Sequence, residues 1–533
     1  VRVVVSKADP GDRRPEAAVV RLGGTVDAPL PIVDGFSATV PTGAVARLAA
    51  TAGVTGLTLD RPVTVSGAYG EGSGVASAVY TDAVRAKATW EEGHTGARVG
   101  VAVIDTGVNA TGDLAGKVVT GPDFTSERDG VDRYGHGTFV AGLIAGQGTA
   151  SGGAVKGVAP GAHIVSVKIA GADGRTDIVR LLAALEWVVA VRDVYNIRVL
   201  NLALGTDSTQ SYLDDPLNFA VERVWNAGIV VVAAAGNGGN GPGTITKPAD
   251  DPLVVTAGAA DDHTTAEVGD DTVATFSAAG PTAADGLAKP DLVAPGKSVV
   301  SLRVPGSTVD AANPAGRVGN AYFRGSGSSF SAAVTSGSAA LVLSRTPTLT
   351  PNQVKARLVA AARPAGLSPA AAAGAGEVDA YAATMSTSTA SANQGVVPGT
   401  GGGSLQASRG SACMRTSNTC LPDAIANAVT GFDPSRYFGS QWAGSSWLGS
   451  SWLGSSWLGS SWLGSSWLGS SWLGSSWLGS SWLGSSWLGS SWLGSSWLGS
   501  SWLGSSWLGS SWLGSSWLGS SWMGSSWLTA DWQ

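Results

Sequence analysis

Between residues 97 and 384, short apolar runs alternate with helical stretches. The runs VGVAVID, IVSVKIA, VLNLALG and IVVVAAAG are rich in β-branched residues and almost uninterrupted by polar ones. Runs of this kind are strands buried on both faces. A helical stretch begins at Gly137, and another runs from Asp177 through Val191. Buried strands alternating with helices predict a doubly wound α/β region, with a mostly parallel sheet covered on both faces.

The flanks follow other rules. Residues 1–65 read strand, helix, strand, strand, helix, strand: Arg2–Val5 is a strand, Pro15–Leu22 a helix with Pro at its start, Leu30–Val40 (DGFSATVP) a strand with a turn before it, Gly43–Thr51 a helix and Val54–Thr64 a last strand. That order predicts a small α+β unit of ferredoxin-like, split β-α-β type. A Gly/Ser-rich linker follows, so residues 66–80 form the joint and residues 81–384 the central domain. Residues 385–441 form a second linker, rich in Ser, Thr, Gly and Ala at its start. From Trp442 to Trp532 a Trp recurs every five residues, mostly as GSSWL.

Period five puts no single face of a regular element in register: each Trp turns about 140° from the last in a helix and switches face in a strand. Two readings of residues 442–533 follow. In one, five residues make one side of a β-solenoid coil, a pattern similar to pentapeptide-repeat proteins. In the other, the segment is a disordered Ser/Gly-Trp tract that associates by stacking.

Composition narrows the partners. The 533 residues carry 14% charged side chains and a net charge of −6, which gives no attraction to nucleic acid or anionic membrane. Apolar runs such as Ile229 to Ala235 are strand-sized, far short of a transmembrane span. The chain opens VRVVVSKADP, without a basic-then-apolar leader. Cys413 and Cys420 stand in a polar stretch with no His nearby, a spacing that favours a small disulfide and an oxidising, extracellular setting; two unpaired thiols is the alternative.

Three stretches carry chemistry. Asp105 ends an apolar strand in VAVIDTG; His136 opens a helix between two glycines in YGHGTFVAG; Ser329 leads into an apolar helix in GSGSSFSAAVTSG. Singly, each has an ordinary structural explanation: a strand-end Asp, a buried His, a helix-capping Ser. Together they supply an acid to orient an imidazole, a base, and a nucleophile beside unpaired helix N–H donors.

In the order Asp, His, Ser, the motifs DTG, GHGT and GSS resemble those of the subtilisin-like serine proteases, or subtilases. Subtilisin itself is the type case of that order. The sequence departs from the family's usual pattern at Ser328, Phe330 and Ala333, which replace Thr, Met and Pro, and at Phe139, which replaces a second His. The resemblance implies a subtilisin-like fold for residues 81–384 and a triad of Asp105, His136 and Ser329. It implies an oxyanion hole from the Asn237 amide and the Ser329 backbone N–H, and a peptide-binding edge at Leu202, Ala203, Leu204 and Gly205. The opposite pocket wall would be Ala233 to Gly236, with Ala234, Ala235 and Gly236 as candidate contacts. The stretches FSAAGP (276–281), KPDLVAP (289–295) and GAGEVDA (374–380) extend the likeness across the domain.

The same resemblance implies that residues 1–65 are an inhibitor-type propeptide, cut off autocatalytically in or just after Ser66–Tyr80. It implies protein or peptide substrates, no cofactor for catalysis, and structural Ca²⁺ as a family habit. The acidic loop Asp123–Asp132 offers no clean ligand spacing for that ion. The expectation is a secreted or surface-associated bacterial endopeptidase, its tail binding an envelope polymer or other copies of itself. The alternative is a structural or adhesive surface protein whose protease domain serves only for processing.

Overall fold

The structure is a computed structural model that describes residues 1–9, 11–30, 35–59, 62–65, 68–69, 78–110, 112–364, 367, 370–403, 415–416, 419–420 and the strands of the tail given below. Cys413 lies outside the described residues, and with it the disulfide expectation.

The N-terminal unit runs β1 (Arg2–Lys7), α1 (Arg14–Arg21), β2 (Thr25–Leu30), β3 (Gly35–Thr39), α2 (Val45–Ala49) and β4 (Val54–Leu59). Its sheet has the order β2-β3-β1-β4 with every pair antiparallel, which is the split β-α-β arrangement read from the sequence. The two middle strands along the chain are β2, ending at Leu30, and β3, beginning at Gly35. Strand alternation divides the work of β1: Val3 and Val5 join a local core with Ala18, Val19, Phe36, Leu48 and Leu57, while Val4 and Leu30 join the main core of the central domain.

The sequence reading also ran one strand through Val54–Thr64. In the structure β4 stops at Leu59, and β5 (Pro62–Val65) and β6 (Ala68–Tyr69) pair with other parts of the chain. Helices α3 (Val79–Ala83) and α4 (Ala86–Glu91) then lead into the central domain.

That domain is built on β7 (Gly100–Asp105), β8 (Val118–Asp123), α5 (His136–Ala145), β9 (His163–Lys168), β10 (Arg175–Asp177), α6 (Ile178–Val191), β11 (Ile197–Leu202), β12 (Leu204–Gly205), α7 (Pro216–Asn226), β13 (Val230–Ala234), β14 (Val255–Asp261), β15 (Thr272–Val273) and β16 (Leu292–Pro295). It continues with β17 (Val299–Leu302), α8 (Thr308–Ala312), β18 (Arg317–Val318), β19 (Tyr322–Ser326), α9 (Ser328–Arg345), α10 (Pro351–Ala361), α11 (Ala370–Ala373) and α12 (Ala380–Met385). The main sheet follows the order β15-β14-β13-β11-β7-β9-β8, with β16 also on β14; every pair is parallel except β14 with β15. β7, β13 and β14 are buried at every residue, as expected of strands so rich in apolar and small residues.

The sheet order reverses direction at β7, where β9 lies on one side and β11 on the other. Ligand sites of open α/β sheets form at the carboxyl ends of strands beside such a reversal. Asp105 is the last residue of β7. Helix α9 is buried from Ser328 through Leu343 and packs on α5, β11, β13 and β14, which holds its N-terminus at that same edge. Among the described residues, no helix is long and apolar enough to cross a membrane.

Beyond the domain, β20 (Arg415–Thr416) and β21 (Thr419–Cys420) form a hairpin. The tail, a separate compact unit (438–533), contains β22 (Ser446–Leu448), β23 (Ser451–Leu453), β24 (Ser456–Leu463), β25 (Ser466–Leu473), β26 (Ser476–Leu493), β27 (Ser496–Leu513) and β28 (Ser516–Trp532). All its pairs are parallel and in register, so that Trp477 stands opposite Trp497, and Trp497 opposite Trp517. The register advances by four pentapeptides from one strand layer to the next, as from Ser476 to Ser496.

Candidate active site

Asp105 and His136 meet across the junction of β7 and α5. His136 Nδ1 lies 2.8 Å from Asp105 Oδ1 and 2.9 Å from Oδ2, and both side chains are fully buried. A carboxylate acceptor at Nδ1 fixes the proton there and leaves Nε2 as the basic nitrogen. The helix start reaches the strand end this closely because residue 137 is glycine. A Cβ at Gly137 would lie 2.2 Å from the Gly107 carbonyl oxygen and 3.1 Å from the Asp105 Cβ.

A second acid, unforeseen in the sequence, ties the two loops together. Asp132 is buried and accepts from the Thr106 hydroxyl (2.8 Å), the Gly135 N–H (2.7 Å), and the Thr138 N–H and hydroxyl (2.8 and 2.6 Å). Thr106 Oγ1 in turn accepts from the Gly137 N–H at 2.9 Å. One carboxylate therefore links the residue after Asp105 to the residues on both sides of His136. Burial pushes its pKa above the usual carboxylate value, against the downward pull of these hydrogen bonds. Its local signal is its place four residues before His136; the groups that donate to it lie on two loops.

Ser329 stands in the first turn of α9, its Oγ donating to the Ala203 carbonyl at 3.0 Å. The capping role open to Ser328 and Ser329 is not used: α9 has no side-chain cap. Instead the Ser328 hydroxyl accepts from the Gly236 N–H (3.0 Å), and the Ser328 N–H donates to Asn237 Oδ1 (2.9 Å). An N–H can only donate, so Oδ1 must face Ser328 and Nδ2 is the donor end of the Asn237 amide. The structure thus brings Asn237 to the N-terminus of α9 beside Ser329, where a developing oxyanion would meet donors.

Two of the departures from the motif pattern, Phe139 and Phe330, pack on each other with ring centroids 4.4 Å apart. The Phe330 ring also lies 5.7 Å from the His136 ring, which places the residue after Ser329 beside the imidazole.

The candidate binding edge is already paired. β12 (Leu204–Gly205) runs antiparallel to β5, and β10 flanks β5 on its other side, so residues 62–65 form the middle strand of a three-stranded sheet. β6 pairs antiparallel with β19, with Gly325 opposite Tyr69 and Ser326 opposite Ala68, immediately before α9. Leu202, Ala203 and Leu204 are buried, as are Ala234, Ala235 and Gly236. Thr246, which sequence reasoning did not single out, stands between these stretches. A Cβ at Gly205 would lie 2.6 Å from Thr246 Oγ1, and one at Gly236 would lie 2.8 Å from Thr246 Cγ2.

The acidic loop 123–132 does not suit Ca²⁺. Lys168 sends its ammonium into it, 2.5 Å from Glu127 Oε2, 4.0 Å from Asp123 Oδ2, and hydrogen-bonded to the Val131 carbonyl. Arg133 pairs with Asp129 at 2.6 Å and holds that carboxyl far below the usual range. The Lys168 ammonium already balances part of the loop's charge, and among the described residues no group of three or more His, Cys, Asp or Glu is arranged to hold a metal.

Comparison with known proteins agrees with this geometry. Serine protease AprX of Bacillus subtilis is 40% identical over 283 residues, which are 52% of this chain and 64% of AprX. Subtilisin DY of Bacillus licheniformis is 34% identical over 52% of this chain and 87% of its own length. Among solved structures, fervidolysin of Fervidobacterium pennivorans, a keratinolytic enzyme related to subtilisin, shares the fold: TM-score 0.56 at 23% identity, over 72% of this chain and 61% of that one. The profile described as the Subtilase family matches residues 96–396, more than half of the sequence, and the chain belongs to that family.

Proposed function

We propose that the protein is a secreted serine endopeptidase that works through an acyl-enzyme and is made as a self-processing zymogen. The observation that carries the chemistry is the buried Asp105–His136 pair beside the α9 N-terminus that bears Ser329. Ser329 Oγ attacks a peptide carbonyl. His136 takes the proton and returns it to the leaving amine, and Asp105 stabilises the imidazolium. The Asn237 amide and the Ser329 N–H receive the oxyanion; loss of one such donor in subtilisin costs about 10²–10³ in kcat.

The zymogen reading is supported by the cover over the cleft. Asp105, His136 and Ser329 are all buried, and residues 62–65 occupy the edge of β12 that an extended substrate would use. Residues 1–59 form a unit with its own core, suited to act as an intramolecular inhibitor. For the tail, the parallel in-register pairing supports a solenoid that attaches to an envelope polymer or to other copies, outside the catalytic step.

Fluorophosphonate labelling of the purified chain beside Ser329→Ala tests the enzyme. Label on Ser329 that the variant loses is the expected result. Wild type that stays unlabelled even with residues 1–66 removed would overturn it. Deletion of residues 440–533 tests the tail: unchanged hydrolysis of a free protein substrate is expected, and lost hydrolysis would favour the structural reading.

A further inference from the structure

We infer that the tail joins copies of this chain head to tail: the free edge of β28 in one copy takes the first layer of the next, β22 to β24, as one more parallel, in-register layer. This rests on the solenoid reading of the tail above and names its partner and the edge that meets it.

The sheet of the tail ends in two unpaired edges. Among the described residues, β28 (Ser516–Trp532) pairs only with β27, so one side of this 17-residue strand meets no other strand. At the opposite end β22 and β23 pair only with β25, and β24 pairs only with β26. The register repeats every four pentapeptides, so each of these edges spans nearly one whole layer. The backbone N–H and C=O groups along such an edge are a template for a further strand.

The sequence says which strand fits. Each layer sets Ser opposite Ser, Trp opposite Trp, Leu opposite Leu and Gly opposite Gly. The first layer of a second copy repeats the same pentapeptide, so it offers the free side of β28 what β27 offers the other side. With Ser446 of the second copy opposite Ser516, Trp447 falls opposite Trp517, Trp457 opposite Trp527 and Trp462 opposite Trp532. Closing layers of repeat arrays carry a different, polar sequence. β28 does not: it keeps the repeat through Leu528 and departs from it only at Met523, Thr529, Ala530 and Asp531. Asp531 is the one charged side chain after Arg436. It already stands opposite Ser511 within the sheet, and in the stack it would stand opposite Ser461, the same residue type.

The contact joins two different edges, so it is heterologous and does not close on itself. Repeated from copy to copy, it builds an open line of tails that carries one protease domain per copy. Two β28 edges facing each other about a two-fold axis would run antiparallel, whereas every pair within the tail is parallel.

The test uses the full Ser329→Ala chain, which cannot digest its own tail. Sedimentation velocity should show a series of species that lengthens with concentration, and electron microscopy should show them as unbranched lines. Two edge variants of that chain block one end each: Ser516→Lys with Ser526→Lys in β28, and Ser446→Lys with Ser456→Lys in the first layer. Lysine on a sheet edge opposes further pairing. Each variant alone should stop at the monomer, and an equal mixture should stop at the dimer, because each supplies the edge that the other lacks. That dimer separates a blocked edge from a tail that has failed to fold. Lines formed by either variant alone, a mixture without dimer, or a parent chain that stops at a closed dimer overturns the head-to-tail contact. A parent chain that stays monomeric at every concentration also overturns it. Hydrogen exchange beside the chain lacking residues 440–533 then decides the reading beneath: slow amides in the tail leave the solenoid standing, and their absence overturns the solenoid as well.

Discussion

Phe139 and Phe330 pack ring against ring, 4.4 Å between centroids, and Phe330 lies 5.7 Å from the ring of His136. Two of the four positions that depart from the family's motif pattern, a His and a Met elsewhere, are therefore one structural unit. Both rings are buried, so each truncation removes core packing, and that of Phe330 removes it beside the imidazole. Phe139→Ala and Phe330→Ala should each destabilise the fold by about 3–5 kcal/mol. Their effects should fall short of additivity by about 0.5–1.5 kcal/mol, the worth of an aromatic pair. Urea unfolding of the four members of the cycle, in a Ser329→Ala background that prevents self-digestion, measures this. Strict additivity would mean that the rings act independently.

Asp132 is the second such unit. Its carboxylate holds the Thr106 hydroxyl and the Gly135 and Thr138 donors, and so fixes the separation of Asp105 and His136. Asp132→Ala leaves several buried donors unpaired and should cost at least about 3 kcal/mol. Asp132→Asn keeps the size but turns one acceptor into a donor. It should lower kcat more than it raises KM, because the His–Asp geometry acts in the transition state. Equal kcat in Asp132→Asn and wild type would reduce Asp132 to a scaffold role.

Much of this was legible because the chemistry demands residue types in local contexts. Asp105 at a strand end, His136 at a helix start between glycines, and Ser329 before a small-residue helix each show in a dozen consecutive residues. What stayed hidden depends on distant partners. Pro62–Val65 reads as the end of a longer strand, since nothing near it announces β10 and β12, more than a hundred residues away. Thr246 sits in an ordinary TITKP turn and matters only because Gly205 and Gly236 come to it. Lys168 reads as one polar residue in the strand IVSVKIA, yet its long side chain ends in the acidic loop and balances part of that charge.

The pH dependence of hydrolysis follows from the base. Nε2 of His136 must be unprotonated to accept the Ser329 proton, so activity should fall in acid as the imidazole takes up a proton. The measurement is kcat/KM from pH 5 to 9 on processed enzyme. A flat profile would remove His136 from the role of general base.

A second pH effect should appear far from the triad. The segment after α12 is strapped to α7 and the loop before it. The Gly399 N–H donates to both carboxylate oxygens of Glu222 (2.8 and 2.9 Å), the Tyr212 hydroxyl to the Val397 carbonyl (3.1 Å), and the Gly403 N–H to the Asp214 carbonyl (2.7 Å). Glu222 faces the buried Asp251, with Arg223 beside it and Lys289 and Asp250 near Asp251. Burial pushes Glu222 up to about 7 and raises Asp251 well above the carboxylate range, where the charge of Glu222 opposes its ionisation further. A carboxyl raised on folding contributes stability that is complete below its unfolded pKa, about 4, and is lost as pH rises through its folded pKa. The Gly399 N–H favours the ionised carboxylate but burial outweighs it, so the region that buries the pair, the strap included, should be best protected in acid and lose protection as pH rises from about 4 through 7. Hydrogen exchange of residues 396–403 at pH 5, 7 and 9, corrected for intrinsic rates, reads the opening. Asp251→Asn removes the opposing charge and should flatten the dependence. If the variant kept the wild-type slope, the two carboxyls would not be its source.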